Sequence, residues 1–486
     1  MHRKSRSTRW LPFAVALVWA GAATGVGHAV TFLVTSTGDT GDTNTADNLC
    51  VASGGGCTLR AAIQQANATA GADVINFGIG TGPQTISPAS ALPTITDPVT
   101  IDGRTQPGAS PPAISLIGTS AGAGVNGLVL AANGCAIYGL VVRNFSNHGI
   151  VVNSSNNTVA RNHVGTDSAG TADRGNTVYG IAITGSNNLI GGPAAAYADR
   201  NVISGNDGGG LFITGGTGNL VQSNFIGVDR QGTAKLANGG SGVFLSAASG
   251  NTFKTNIISG NTVDGVRIIG GGSNTFNENN FIGLNNGATA ALGNGNHGVY
   301  IENSSANTIG NTNLISGNAF AGVYLNGASA TGNSVWGNFI GLGFSGGNQV
   351  AIGNAGPGVV ITGGANANTI GGMSTGTGNV ISGNGLGVLI SGGNGGNNVV
   401  SNVIGAGQGP GGTAIAIPNG GDGVQVLSSP NNKIGIDAST GSGNTISGNH
   451  GNGVYVSSSN GTLIAGNAIG SGQGGTVPLA NTEYAA

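Results

Sequence analysis

Asn256-Ile-Ile-Ser-Gly-Asn261, Gly265-Val-Arg-Ile-Ile269 and Asn274-Thr-Phe-Asn-Glu-Asn279 follow one another within residues 256–279. Each is a short phrase of alternating apolar and polar residues, and Gly or Asn punctuates the joins. The first phrase returns as Asn-x-Ile-Ser-Gly-Asn from Asn201, Asn313, Asn379 and Asn444, so that successive copies lie 55, 57, 66 and 65 residues apart. Between copies runs a second phrase, Asn-x-Ile-Gly, at Asn224, Asn280, Asn338, Asn402 and Asn467, with a variant at Asn162. A recurring internal period means one supersecondary unit stacked many times.

A third phrase, Gly-Val-x-Ile, splits that unit in two. It runs from Gly127 to Gly453, and from Gly210 onward its steps alternate: 32, 23, 33, 24, 36, 29, 36 and 30 residues. Each period is therefore a short coil followed by a looped one, with three short β phrases per coil. No helical period appears after residue 70. The pattern predicts an all-β fold, a right-handed parallel β-helix solenoid of about 12–14 coils, at roughly 4.8 Å per coil a rod on the order of 60 Å long. Ile, Val and Leu should stack inward, Asn should hydrogen-bond to its counterpart one coil away, and glycine should serve corners of positive φ. A β-propeller needs longer antiparallel strands, which the two near-equivalent half-repeats do not supply. Calcium-binding nonapeptide rolls are excluded by the lack of Gly-Gly-x-Gly-x-Asp.

Residues 1–29 read as an export signal: a basic start, an apolar stretch over 11–23, and the small residues Gly27 and Ala29 at a cleavage site. Removing it deletes Arg3, Lys4, Arg6 and Arg9 and no acid, which leaves 11 Lys and Arg against 17 Asp and Glu, a balance of −6. Such a charge-poor, mildly acidic chain argues against nucleic acid and against anionic membrane as partners. The stretch over 11–23 is too short to span a bilayer and no other apolar run is longer, so the mature chain is expected to be secreted or held at the cell surface without a membrane span. Cys50 and Cys57 flank a Gly-rich loop and are expected to form a disulfide in an oxidising compartment. Cys135 lies in an apolar strand pattern and reads as a buried thiol. No metal-ligand spacing occurs, and no cofactor is implied.

Ahead of the repeats, residues 30–80 form a different segment, with the repeats themselves filling 81–486. It holds an alternating strand from Thr31 and one amphipathic helix, in which Leu59, Ala62, Ile63 and Ala66 share a face and Thr58 is placed to cap the start. An open coil end exposes unpaired backbone, and this helix reads as its cap. Cys57-Thr58-Leu59-Arg60-Ala61-Ala62, with Ile63 and Asn67, resembles the CSLREA domain found at the start of exported bacterial β-helix proteins of pectin-lyase-like type. The match departs at Thr58, where that domain has Ser, and at Ala61, where it has Glu. Ile101-Asp-Gly-Arg-Thr-Gln-Pro-Gly108 is also similar to the segment that precedes the first full coils in such proteins. The resemblance implies architecture and location, and no particular activity. At the other end, Leu479-Ala480-Asn481 matches Leu236-Ala237-Asn238, after which another strand should follow. An incomplete last coil, as in a piece of a longer array, is the expectation.

Chemistry is expected in the loops of the long coils, at 165–179, 227–241, 283–297, 341–357 and 405–422, which should align as a ridge. Charge gathers in the first two, on Asp167, Asp173, Arg174, Asp229, Arg230 and Lys235. These residues, with the Asn, Ser and Thr of the ridge, are the candidate contacts to a polysaccharide or other cell-surface component. Asp167 and Asp229 are repeat-equivalent and two coils apart, about 10 Å, near the upper separation of an inverting carboxylate pair. Asp in a Gly-rich turn more often accepts its own loop's N–H groups. Arg143, His148, Arg161 and His163 form a second cluster in which a base beside a cation would suit β-elimination. But His163 fills the slot of Phe225, Phe281 and Phe339, and Arg161 that of Ser223 and Asn279, which favours packing. Trp336 is the single Trp left after the leader, and the tyrosines read as scattered. The favoured reading is a structural or binding module that is not an enzyme. The alternative is a polysaccharide lyase or glycoside hydrolase with its site on loops 165–179 and 227–241, using Asp167, Asp229, His163 or Arg161.

Overall fold

The computed structural model describes residues 28–108, 110, 112–192, 199–372, 376–435, 443–472 and 478–482. The expected leader up to residue 27, and 473–477 and 483–486 of the last repeat, lie outside them.

Three parallel sheets run along the chain. Sheet 1 has 15 strands, from Thr31–Val34 to Leu463–Ala465; sheet 2 has 14, from Gln84–Ile86 to Ala468–Ile469; sheet 3 has 12, from Leu128–Leu130 to Val454–Ser457. One coil visits them in turn: Thr252–Lys254, Ile257–Ile258 and Val266–Ile269, then Thr275–Asn277 of the next coil. Residues pair with their repeat-equivalents one coil away, as Val243 with Val266 and Val266 with Val299. The fold is a right-handed parallel β-helix.

Strands of two to six residues suffice because each alternates in and out. Ile226, Ile258, Ile282, Ile315 and Ile340 point inward from sheet 2 and are fully buried. From sheet 1, Phe253 and Phe276 stack inside the rod with centroids 4.3 Å apart. Burying such columns at about 25 cal/mol per Å² is the main stabilising term.

All three corners carry an asparagine column. Between sheets 1 and 2 it runs from Asn162 to Asn467, between sheets 2 and 3 from Asn176 to Asn481, and between sheets 3 and 1 from Asn157 to Asn432. At Asn256 the backbone N–H and side-chain Nδ2 both donate to Asn280 Oδ1, at 3.1 and 3.0 Å, while Nδ2 also donates to the Val221 carbonyl at 2.9 Å. Asn256 Oδ1 in turn accepts from Asn224. The buried corner is thereby satisfied without water. The two Asn of Asn-x-Ile-Ser-Gly-Asn thus begin and end the sheet 2 strand of a short coil.

The glycines answer two different demands. Gly227, in Asn-x-Ile-Gly, has φ 87°, as expected for a corner. Gly242, in Gly-Val-x-Ile, is needed instead for close approach. A Cβ there would sit 2.6 Å from Asn261 Nδ2 and 2.9 Å from the Gly265 carbonyl.

The N-terminal end is covered by the helix α1, Leu59–Ala68, whose Thr58 cap accepts from Ala61 N–H at 3.0 Å. Its buried face packs with the strand Thr31–Val34, which pairs with Asp73–Phe77. Cys50 and Cys57 are joined as a disulfide, and Cys135 is a buried thiol. Arg60 binds Asp39 through two nitrogens, at 3.1 and 2.9 Å, and donates to the carbonyls of Ser90 and Ala91. Asp39 is thus the acid that pairs with Arg60. Asp102 and Arg104 pair within one turn, Gly103–Thr105. Among the described residues, no helix is long and apolar enough to cross a membrane.

Candidate functional site

The long-coil loops are β-hairpins. They close by antiparallel bridges at Thr166 with Asp173, Val228 with Lys235 and Leu284 with Ala291, and by strand pairs Leu342–Ser345 with Asn348–Ala351 and Ala406–Gln408 with Ala414–Ala416. All leave the corner between sheets 2 and 3, in every second coil. They stack as a ridge: Arg230 N–H donates to Gly170 O, Asn286 N–H to Gly232 O, and Phe344 N–H to Ala288 O. The Ser of Asn-x-Ile-Ser-Gly-Asn fixes the neck of the hairpin in the following coil, from the second hairpin onward. Ser259 Oγ donates to the Leu284 carbonyl at 2.8 Å and accepts from Gly283 N–H at 2.9 Å. Ser204, Ser316 and Ser382 make the same two contacts at the necks of the second, fourth and fifth hairpins.

The ridge accounts for the acids on it. Asp167 Oδ1 accepts from the N–H groups of Thr171 and Ala172, and Asp229 Oδ1 from those of Thr233 and Ala234. Asn285 makes the same pair of bonds in the next hairpin, to Thr289 and Ala290. The role needs an acceptor, not a charge. Asp173 accepts from Gly175 N–H, Arg174 donates to the Asp173 carbonyl, and Lys235 Nζ donates to the Gly293 carbonyl. Asp173, Arg174, Arg230 and Lys235 lie exposed on the ridge.

The second cluster does not converge. His163 faces outward from sheet 2, between Val141 and Val202, yet is 5% exposed because the first hairpin covers it. Its Nδ1 donates to the Asp167 carbonyl, and burial lowers its pKa to about 4. Arg161 sits at a corner of φ 63° and pairs with Asp199 at 3.1 Å. Arg143 ends its strand against Asn144, and burial lowers its pKa. His148 is turned toward sheet 3, where it stacks on Tyr179.

Beside the ridge lies a groove whose floor is the outer face of sheet 2. Val202, Phe225, Ile257, Phe281, Leu314, Phe339, Val380 and Val403 line up in register along it. The hairpin residue Val228 packs over Val202, Phe225 and Ile257, and Leu284 and Ala288 over Leu314, so these four floor residues are buried and the floor opens chiefly from Phe339 to Val403. The hairpins wall one side and the corner between sheets 1 and 2 walls the other. Two cavities lie in line here. The smaller, about 250 Å³, is floored by Phe225, Ile257 and Phe281, with Arg200 at its edge. The larger, about 990 Å³, spans the coils of Phe339, Val380, Val403 and Thr445, with Asn311, Gln349 and Gln408 on its walls. None of the described residues lining it is an acid, base or cysteine. Arg200, in the smaller cavity, rests over the Phe225 ring at 4.0 Å.

The outer face of sheet 3 corrects the reading of scattered tyrosines. The x position of Gly-Val-x-Ile places Phe212, Phe244, Arg267, Tyr300 and Tyr324 in one column. Tyr179 stacks on Phe212 at 4.7 Å, Phe212 meets Phe244 at 5.3 Å, and Tyr300 meets Tyr324 at 5.6 Å. Period-2 alternation marks these positions as outward in the sequence itself. The rings cover one another's faces, so the column presents mainly rims to solvent. At its middle, Asp264 is buried and accepts from His297 N–H and Asn296; burial raises its pKa and lowers that of His297 to about 4. Among the described residues, no three His, Cys, Asp or Glu side chains gather as a metal site.

Residues 123–343 match the family described as right handed beta helix region. Comparison with curated proteins finds no match. Among solved structures, the chain is similar to the A-module of mannuronan C-5 epimerase AlgE4 from Azotobacter vinelandii, at 14% identity and TM-score 0.41, over 89% of this chain and 97% of that one. It is similar to the periplasmic alginate epimerase AlgG at 12% identity and TM-score 0.45, over 82% and 76% of the two chains. Pectate lyase Pel9A is similar at 14% identity and TM-score 0.34, over 86% and 80%.

Proposed function

We propose that this chain is an exported β-helix that binds a polysaccharide without transforming it, and that the polymer lies in the groove along sheet 2. The observation that carries this reading is the chemistry of the larger cavity: an apolar floor between walls of amides and hydroxyls, with no acid, base or cysteine among the described residues that line it. A pyranose has apolar C–H faces and a rim of hydroxyls, and such a floor and walls match both. Equivalent groups recur every coil, roughly 4.8 Å, which suits a repeating ligand. Export is supported by the leader-like residues 1–29 and the Cys50–Cys57 bridge.

The catalytic alternative would place its chemistry on Asp167 and Asp229, but both carboxylates already accept their own hairpins' N–H groups. Native gels cast with soluble polysaccharides test the two. At least one polymer should retard the protein, Phe339→Ala should weaken that binding about tenfold, and Arg230→Ala on the ridge should leave it unchanged. Absence of retardation by every polymer would refute the reading. New reducing ends or unsaturated products that vanish in the Asp167→Asn, Asp229→Asn double variant would replace it with the catalytic one.

A further inference from the structure

We infer that the polymer held in this groove is an uncharged glycan, not a polyuronate; the inference rests on the groove-binding reading above. A polyuronate carries one carboxylate per sugar. Across the four coils of the larger cavity, roughly 14 Å, it would bring several into contact with the wall. Each would lose water and need a cation or several N–H donors in return. Yet no Lys, Arg or His occurs among the described residues lining that cavity. Arg200, beside the floor, belongs to the smaller cavity and is seated on the Phe225 ring.

The polar walls point the same way. Gln349 Oε1 already accepts from Gln408 N–H at 2.9 Å, which fixes the orientation of that amide beside the cavity. Asn311 and Gln408 offer both donors and acceptors, and Thr312 and Thr445 carry hydroxyls. A sugar hydroxyl, itself donor and acceptor, uses both kinds of site; a carboxylate only accepts and leaves the amide oxygens unmatched. The field of the molecule opposes a polyanion as well, since the whole chain carries −2 at pH 7, and −6 without residues 1–29.

The test compares neutral glucans, mannans and xylans with polygalacturonate and alginate in the same gels, at low salt and at high salt. Retardation is expected from at least one neutral polymer, with an affinity changed less than twofold by salt, and from neither polyuronate at low salt. Val403→Asp, which adds a charge to the floor, should weaken the neutral polymer at least tenfold. Salt-sensitive retardation by a polyuronate, lost in Phe339→Ala, would overturn the uncharged class and leave groove binding standing. Capture of an extended peptide, with no glycan bound, would overturn both.

Discussion

Asn256 is a small residue with a large structural load. It donates to Asn280 and Val221 and accepts twice from Asn224, all inside the stack. Asn256→Ala would leave the Asn224 N–H and the Val221 carbonyl unpaired at about 1–3 kcal/mol each, while the backbone N–H at 256 keeps Asn280 Oδ1, and a loss of roughly 2–5 kcal/mol is expected in denaturant unfolding. Asn256→Asp should be no milder, because a carboxylate cannot donate to the Val221 carbonyl. His163 is the counterpart for pH. Burial holds its pKa near 4, below the ordinary 6.5, so the unfolded chain takes up its proton first. Its contribution is complete above pH 6.5 and is lost as pH falls from 6.5 to about 4, by up to roughly 3 kcal/mol. His163→Phe, the residue of three equivalent slots, should reduce the slope of the stability curve in that window, the remainder coming from His297. An unchanged pH profile for the variant would show that His163 is solvated in the folded chain.

At the scale of the element, the hairpin is built from two coils at once. Ser259 belongs to a short coil but satisfies both sides of the neck at Gly283 and Leu284 in the next. Ser259→Ala should cost about 1–3 kcal/mol, since it orphans the Leu284 carbonyl and leaves the Gly283 N–H only its longer bond to the Ile258 carbonyl, at 3.2 Å. The loss should be local: amide exchange at Asn286 and Phe344, whose N–H groups link adjacent hairpins, should accelerate at least tenfold, and that at Val243 should not. Spacing alone made the ridge legible, because the loops recur after the same phrase. The office of Ser259 was not legible, since its partners are 24 and 25 residues away and only coil register brings them together. Asn285 was the readable clue to Asp167 and Asp229: a position that accepts Asn as well as Asp is filling a turn. A ridge along one side of the rod implies a groove beside it. Its floor was not legible, because Phe225, Ile257 and Phe281 look like ordinary strand residues until sheet 2 turns them outward.

Over the whole molecule, the period gave away the architecture because every repeat obeys the same three demands: aliphatic inward, Asn at the corner, Gly where backbones approach. The Asn157 to Asn432 column shows where such reading stops, for its members recur before strands of varied sequence, Thr158 in one coil and Leu189 in another. A stack of this kind should also unfold unlike a globular domain, since each coil touches only its neighbours and stability spreads by nearest-neighbour coupling. Arg60 tests this. It ties the covering helix to Asp39 and to the carbonyls of Ser90 and Ala91, with side chains of the pair only 13% and 17% exposed. Arg60→Ala leaves Asp39 with the Ala89 N–H as its remaining partner, at a cost of about 2–4 kcal/mol. Native-state hydrogen exchange should then show the loss of protection in Leu59–Ala68 and Thr31–Val34, fading along the rod and absent at Val243–Ser246. Were the rod one cooperative unit, the most protected amides at both places would lose protection by the same factor. Equal losses would therefore contradict nearest-neighbour coupling and make the cap a determinant of global stability.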